Sequence, residues 1–130
     1  MSDFQNSLSI AASGMEAQAA RLRHVAENIA NADTPGYHRK TIGFAAVVQD
    51  GQPTGEVRAG RVHLDRSALT RILDPGNPLS DENGYYDGSN VDLVTEIADA
   101  REAQRSYEAN LRMFEQVRQM SRSLLELLRR

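Results

Sequence analysis

The chain has 130 residues, 40% of them hydrophobic and 25% charged, and a formal net charge of −3. Its length corresponds to about one domain, and its mild acidity does not favour nucleic-acid binding, for which a strongly basic surface is typical. The absence of cysteine excludes disulfides, thiolate metal sites and a cysteine nucleophile.

The N-terminal stretch predicts a helix from residue 3 to residue 30, capped by Ser2 or Asp3. Gly14 costs this helix about 1 kcal/mol relative to Ala, which indicates either close packing or a helix that orders only on assembly. Seven apolar or small residues alternate in steps of four and three, the spacing of a heptad seam: Leu8, Ala12, Met15, Ala19, Leu22, Ala26 and Ile29.

The segment NIANADTPGYHRK, residues 28–40, ends this helix. Asn31 suits a helix C-cap. The helical backbone conformation is unfavourable for Thr34, because Pro35 follows it. Pro35 and Gly36 fit the centre of a type II turn. The sequence therefore predicts that the chain leaves the helix axis at one defined place.

Residues 41–89 predict a small insert of short strands and loops. TIGFAAVV reads as a short strand, and EVRAG and RVHLDRS alternate as strands do. Dense turn signals separate these runs: Asp50-Gly51, Gln52-Pro53, residues 74–78, Asn83-Gly84 and Asp87-Gly88. We expect this segment to be weakly ordered on its own.

The last helix is predicted to begin near Ser89 or Asn90, where Ser89 and Asp92 fit a capping box. No Pro or Gly follows Asn90. An apolar stripe at helical spacing follows: Ile97, Ala100, Ala103, Tyr107, Leu111, Phe114, Val117, Met120, Leu124 and Leu128.

The predicted fold is therefore mainly α, with long N- and C-terminal helices that pair as a coiled coil around a small β/loop insert. The organisation is an N-terminal helix with its turn segment in residues 1–40, the insert in 41–89 and the C-terminal helix in 90–130. The insert offers little apolar surface to cover both helical seams. Helices with uncovered seams pair with other chains, so the pattern favours an interaction protein.

The residues that catalysis or metal binding requires do not converge in this sequence. His24, His38 and His63 are scattered without metal-ligand spacing, and DENGYYDG at residues 81–88 lacks the spacing of a calcium loop. Three basic groups, residues 21–24, 38–40 and 129–130, are interpreted as solvated or as contacts with acidic partners. We expect no catalytic, cofactor or metal site, no cleavable signal peptide and no membrane span.

Two segments resemble the terminal signatures of bacterial flagellar axial proteins, which are the rod, hook and hook-associated subunits. NIANADTPGYHRK is similar to the N-terminal signature and SNVDLVTEIADAREAQRSYEANLRMFEQV to the C-terminal one. Hook and distal-rod subunits carry large domains between these helices, and the present middle is short. The resemblance is therefore strongest to the short proximal rod subunits of the flagellar basal body.

This resemblance implies a structural protein that polymerises in the periplasm into the drive shaft between the motor's membrane ring and the hook. It implies export by the flagellar type III apparatus without a cleaved signal. The implied partners are further copies, other rod subunits, ring or adaptor proteins and the export apparatus, with no nucleic acid. In the resemblance, the Thr-Pro-Gly-Tyr loop after the first helix helps to contact neighbouring subunits. The residues of the family motif are then Asn28, Asn31, Thr34, Pro35, Gly36 and Tyr37.

Within this interpretation, burial of the helical seams holds the subunits together. We expect Leu8, Met15, Leu22 and Ile29 to meet Tyr107, Leu111, Phe114 and Val117. The full set of predicted packing residues adds three positions of the last helix: Ile97, Leu124 and Leu128.

Alternatives remain open. One is another axial part of the same group, or an adaptor between rod and ring. A different class is a cytoplasmic coiled-coil adaptor or export chaperone, which a secretion test distinguishes because such a protein is not exported. An enzyme is the least favoured alternative.

Overall fold

The computed structural model describes residues 2–130, so Met1 of the predicted 1–40 segment lies outside the described residues. Helix α1 spans Ser2–Ala30 and helix α2 spans Leu93–Leu128. Two antiparallel β-hairpins lie between them in sequence. The prediction of two long terminal helices with a small β insert is thus confirmed. In the described residues, no helix has the length and apolar character needed to cross a membrane.

Helices α1 and α2 pack against each other in opposite directions. Three contacts define this arrangement: Asn28 with Glu96, Arg21 with Asp99, and Gly14 with Asn110. The α1 members of these contacts are seven residues apart, which is two helical turns, so they lie on one face of α1. The first turn of α2 therefore lies beside the last turn of α1.

This face differs by one residue from the predicted seam. Gly14, Arg21 and Asn28 each precede a predicted seam residue, namely Met15, Leu22 and Ile29. On α2, Glu96 and Asn110 likewise precede Ile97 and Leu111. The sequence prediction followed the apolar residues, whereas the contact face includes small and polar side chains. The fully buried apolar residue of this face on α2 is Ala103, at 0% exposure, and Ala103 belongs to the predicted stripe.

The start of α2 also differs from the prediction. Asp92 is the N-cap, and its side chain accepts a hydrogen bond from the backbone N–H of Val94 at 3.1 Å. Ser89 is buried and its hydroxyl donates to the carbonyl oxygen of Ala32, just beyond the end of α1. The predicted capping box of Ser89 and Asp92 is therefore wrong, because Ser89 joins the two helix ends instead.

Strands β1 (Lys40–Gln49) and β2 (Gln52–Leu64) form the larger hairpin. Asp50 and Gly51 connect them with φ values of 53° and 78°, the left-handed backbone of a type I′ turn, which confirms the turn predicted there. The two strand-like runs in residues 56–67 were predicted separately, but residues 52–64 form one strand. The turn predicted at residues 52–53 is wrong, because these residues pair with β1 at the start of β2.

The larger hairpin lies along α1. The backbone N–H of Val57 in β2 donates to the hydroxyl of Ser13 at 3.1 Å. Gly55 lies against the Ile10 side chain, where a Cβ atom would come within 2.8 Å of Ile10 Cδ1. Small side chains of α1 are buried beneath the neighbouring elements: Ala11, Ala17 and Ala20. The β insert therefore braces the first helix rather than forming a separate domain.

Strands β3 (Arg71–Leu73) and β4 (Tyr85–Asp87) form a second, shorter antiparallel hairpin. Its loop contains turns at both predicted sites, with Asn77 N–H donating to the Asp74 carbonyl at 3.0 Å and Gly84 N–H to the Asp81 carbonyl at 3.0 Å. Thr70 exchanges backbone hydrogen bonds with Gly88 and Ser89. This hairpin is thereby attached to the segment that enters α2.

The close approach at Gly14 generates a prediction. A Cβ atom there would come within 2.7–2.9 Å of three side-chain atoms of Asn110. We expect Gly14→Ala to lower the free energy of unfolding by up to about 2 kcal/mol, since overpacking outweighs the gain in helix propensity. In an Asn110→Ala background the same substitution should raise the free energy of unfolding by up to about 1 kcal/mol, because the clash is removed and the gain in helix propensity remains. Urea unfolding followed by far-UV circular dichroism measures both, and an equal effect in the two backgrounds contradicts the contact.

Candidate functional site

The side chain of Asn28 is fully buried, at 0% exposure, in the last turn of α1. Its amide nitrogen donates to the carbonyl oxygen of Lys40 at 2.9 Å and to Glu96 Oε2 at 3.2 Å. Its amide oxygen accepts from the Tyr37 hydroxyl and from the Lys40 backbone N–H, each at 2.9 Å. One side chain therefore joins α1, the segment after it and α2. We call residues 28–40 the motif segment.

The second centre of the site is the Glu96 carboxylate, which is also 0% exposed. Arg39 Nε donates to Glu96 Oε1, and Arg39 Nη2 donates to Asp99 Oδ2 at 2.7 Å. Arg21 of α1 donates to the other Asp99 oxygen at 3.4 Å. A buried carboxylate is tolerated only when it is paired and hydrogen-bonded, and both Asn28 and Arg39 meet that requirement for Glu96. We call Asn28, Tyr37, Arg39, Glu96 and Asp99 the polar cluster.

Electrostatics keep Arg39 charged within the polar cluster. Burial alone would lower the pKa of its guanidinium, but the hydrogen bond to Glu96 and the negative charges of Glu96, Asp99 and Asp65 raise that pKa overall. The basic group at residues 38–40 was interpreted as solvated or as a contact with an acidic partner. That interpretation is wrong for Arg39, because its acidic partners belong to the same chain.

A neighbouring ion pair lies at the edge of the polar cluster. Lys40 donates to a carboxylate oxygen of Glu27, and this hydrogen bond holds the pKa of Glu27 below its ordinary value and raises that of Lys40. The pKa of Tyr37 is raised, chiefly by burial and also by the negative charge of Glu27. Tyr37 therefore remains a neutral hydrogen-bond donor to Asn28 at neutral pH.

The turn within the motif segment is held at both ends. Asn31 donates from its side chain to the Glu27 carbonyl at 2.9 Å and accepts from the Thr34 hydroxyl at 3.0 Å. The Tyr37 N–H donates to the Thr34 carbonyl at 3.2 Å, and Gly36 has a φ of 75°, which agrees with the predicted type II turn. Residues 34–36 are exposed between these fixed ends.

The segment that leads into α2 holds the motif segment from the other side. Gly36 N–H points at the carbonyl oxygens of Asp87 and Gly88, at 3.2 and 3.0 Å. The Arg39 N–H donates to the side chain of Asn90 at 2.6 Å, and Asn90 in turn donates to the Asp65 carbonyl at 2.9 Å. The exposed turn is therefore fixed relative to both helices and both hairpins.

The predicted packing residues fall into two groups in the single chain. Six of them are half-buried: Leu8, Met15, Leu22, Tyr107, Phe114 and Val117. The others are exposed: Ile29, Ile97, Leu111, Leu124 and Leu128. Their assignment to contacts between subunits stays a prediction. The exposed group shows that the helix pair alone does not cover the apolar surface of the chain.

Sequence reasoning missed the partners of the motif segment. Arg39 was grouped with solvated or partner-binding charges, and Glu96 and Asp99 were assigned no role. The available signal was their position, because two carboxylates three residues apart share one helix face near its start. Such a pair can bind a basic side chain from the segment after the first helix. Only the fold shows that Arg39 and Glu96, which are 57 positions apart in the sequence, lie next to each other.

Comparison with known proteins finds similarity at both ends of the chain. The family described as "Flagella basal body rod protein" matches residues 8–38. The family described as "Flagellar basal body rod FlgEFG protein C-terminal" matches residues 82–127. These ranges contain the motif segment through His38, as well as Glu96 and Asp99.

Several relatives match over nearly their whole length. The flagellar basal-body rod protein FlgC of Agrobacterium fabrum is 43% identical over 127 residues, which cover 92% of this chain and 91% of the relative. FlgC of Salmonella typhimurium is 37% identical over 128 residues, covering 94% and 96%. FlgC of Aquifex aeolicus is 39% identical over 119 residues, covering 88% and 89%. The similarity therefore includes the middle of the chain.

The hydrogen bonds of Asn28 generate a second prediction. We expect Asn28→Ala to lower the free energy of unfolding by about 2–4 kcal/mol, because it leaves the backbone groups of Lys40, the Tyr37 hydroxyl and one Glu96 oxygen without that partner. Asn83→Ala is a matched control, since Asn83 is exposed and its side chain makes no hydrogen bond within residues 2–130. Urea unfolding measures both variants. Equal stability of Asn28→Ala and the control contradicts the role assigned to Asn28.

Proposed function

We propose that this chain, which belongs to the FlgC family of flagellar basal-body rod proteins, occupies the proximal part of the rod. There it transmits torque from the motor ring to the hook. The chain is a structural subunit of the flagellar basal-body rod. The observation that carries the proposal about torque is the polar cluster, which ties the exposed turn rigidly to both helices. A subunit that transmits torque needs contact points that do not move relative to its long axis.

In the assembled rod we propose that α1 and α2 pair as a coiled coil whose outer surfaces pack against neighbouring subunits. The opposed directions of the helices and the seven-residue spacing of Gly14, Arg21 and Asn28 support this pairing. Helix α2 has 36 residues and α1 has 29, so the C-terminal end of α2 with Leu124 and Leu128 extends past the start of α1 and is exposed. Each large side chain that becomes buried on assembly contributes roughly 1.5–3 kcal/mol.

The exposed turn of the motif segment is proposed as a contact with the adjacent subunit. Thr34, Pro35 and Gly36 are solvent-accessible, whereas Asn28 and Tyr37 hold the segment in place. Pro35 fixes its own φ, and the backbone hydrogen bonds of Gly36 and Tyr37 hold the turn, so little conformational entropy is lost when a partner binds. The division into anchoring and exposed residues supports a role for the turn in setting the spacing between subunits.

The proposed location is the periplasmic part of the basal body, reached by the flagellar export apparatus without a cleaved signal peptide. The proposed partners are other rod subunits, further copies of this chain, and ring or adaptor proteins of the motor. A different level of the same stack, that of FlgB or of a rod–ring adaptor, would use the same kind of helix packing. The extent of similarity to FlgC relatives favours the FlgC level.

A gene deletion tests the proposed function directly. We expect non-motile cells whose basal bodies contain membrane rings without a rod, as seen by electron microscopy, because a missing proximal subunit interrupts every later step of assembly. Plasmid-borne wild-type chain should restore motility. Complete, rotating flagella in the deletion strain would refute the proposal.

A point variant tests the packing assignment. Phe114 is half-buried on α2, and we expect Phe114→Asp to abolish rod assembly, because an unpaired carboxylate at a buried apolar contact costs several kcal/mol. Ala109→Asp on the exposed side of the same helix is the control and should retain motility. Swimming in soft agar and immunoblots of isolated basal bodies provide the measurements. Normal motility of Phe114→Asp would show that this residue does not pack in the rod.

A further inference from the structure

A groove on the outer surface of α2 combines apolar and basic side chains. It is lined by Val94, Ile97, Ala98, Arg101 and Arg105, together with Glu102. Val94 is 77% exposed, and Ile97 is exposed as well. We call the first five of these residues the basic groove. They lie three or four residues apart, so they form one face of the helix near its start.

The charges of the basic groove are free to bind a partner. Within residues 2–130, neither Arg101 nor Arg105 forms an ion pair, whereas the neighbouring Glu102 is 3.4 Å from Arg21 of α1. Counting Glu102, the lining of the groove therefore carries two positive charges and one negative charge beside exposed apolar carbon. A fitting partner has the opposite charge and an apolar projection.

The β3–β4 hairpin of the same chain has that chemistry. Residues 71–87 contain four acidic side chains and one basic side chain, while the whole chain has a net charge of only −3. Arg71 pairs with Asp81 at 2.8 Å and approaches Asp87 at 3.9 Å, but within the described residues Asp74 and Glu82 form no ion pair. Leu73 and Leu79 are exposed, Leu79 to 63%. We call Leu73, Asp74, Leu79 and Glu82 the acidic tip.

The two surfaces lie at the same end of the molecule. The acidic tip belongs to the hairpin that is attached to Ser89 just before α2, and the basic groove covers the first three turns of α2. The groove extends about 17 Å along the helix from Val94 to Arg105. Two copies that lie side by side in the same orientation can therefore join tip to groove with little shift along their length.

From this complementarity we infer that the acidic tip of one copy docks in the basic groove of the adjacent copy of the same chain. The inference rests on the proposed function, since it describes a contact within the rod. Because the two surfaces differ, the contact is head-to-tail, and each copy has a free tip and a free groove. Such a contact continues from copy to copy around the rod instead of closing as a symmetric dimer.

Cross-linking tests this contact on a background that contains no cysteine. Leu79→Cys and Ile97→Cys are combined in one chain, which replaces the wild type in a deletion strain, and isolated basal bodies are treated with a short bismaleimide. We expect dimers, trimers and higher multimers on an immunoblot, because each copy carries both halves of the contact. Either single-cysteine variant should remain monomeric, and coexpression of the two should stop at dimers.

A second cysteine pair is the matched control. Val48→Cys with Ile97→Cys places one thiol on the β1–β2 hairpin, whose end lies beside the first part of α1 and away from the start of α2. This pair should give no multimers. Multimers of equal yield from the control pair, or dimers from Ile97→Cys alone, would overturn the inference. Cross-links to a different protein, without any to a second copy of this chain, would also overturn the inference.

Charge reversal adds a test that does not depend on cysteine geometry. Arg101→Glu with Arg105→Glu should reduce the multimer yield about tenfold, because like charges then face each other. Adding Asp74→Lys with Glu82→Lys to that variant should restore most of the yield, and failure of this rescue would overturn the inference. Immunoblots of basal bodies separate the two proposals: absence of the wild-type chain refutes the rod function, whereas its presence without multimers refutes only the docking.

Discussion

The burial of the Glu96 carboxylate is the constraint on which the rest of the structure depends. A charge at 0% exposure is stable only with fixed partners, and Asn28 and Arg39 provide them. Asn28 is in α1, Arg39 follows the exposed turn, and Glu96 is in the first turn of α2. Satisfying one carboxylate therefore fixes the end of α1, the path of the motif segment and the register of the two helices together.

This arrangement explains why the helix contact is built from small and polar side chains. Gly14 and Ala103 let the helices approach closely, and the ion pairs select one register among the several that alanine-rich surfaces would allow. Several larger apolar side chains, such as Ile97, Leu124 and Leu128, remain exposed. The same division is compatible with a rod subunit, because the single chain has a defined shape while apolar side chains at several positions of α2 stay exposed.

The two hairpins support α1 and the motif segment. The β1–β2 hairpin lies along α1 through Ser13 and Gly55, which supports a helix with few large apolar contacts of its own. The β3–β4 hairpin fastens Gly36 through the carbonyl oxygens of Asp87 and Gly88. Stiffness therefore comes from backbone hydrogen bonds and ion pairs that cross between elements, and less from a large apolar core.

The sequence by itself determined the local structure and the family. Helical periodicity predicted the two long helices, and the pairs Asp50-Gly51 and Pro35-Gly36 predicted the turns that they form. The two terminal signatures indicated a flagellar rod protein. Only the tertiary structure decided which face of α1 lies against α2, because small and polar residues stand next to the apolar ones in the sequence. A shift of one residue then selects a different set of contact residues. The tertiary structure also decided the roles of Ser89, Arg39 and Glu96, since an interaction across 57 residues depends on how the intervening hairpins fold and not on any local pattern.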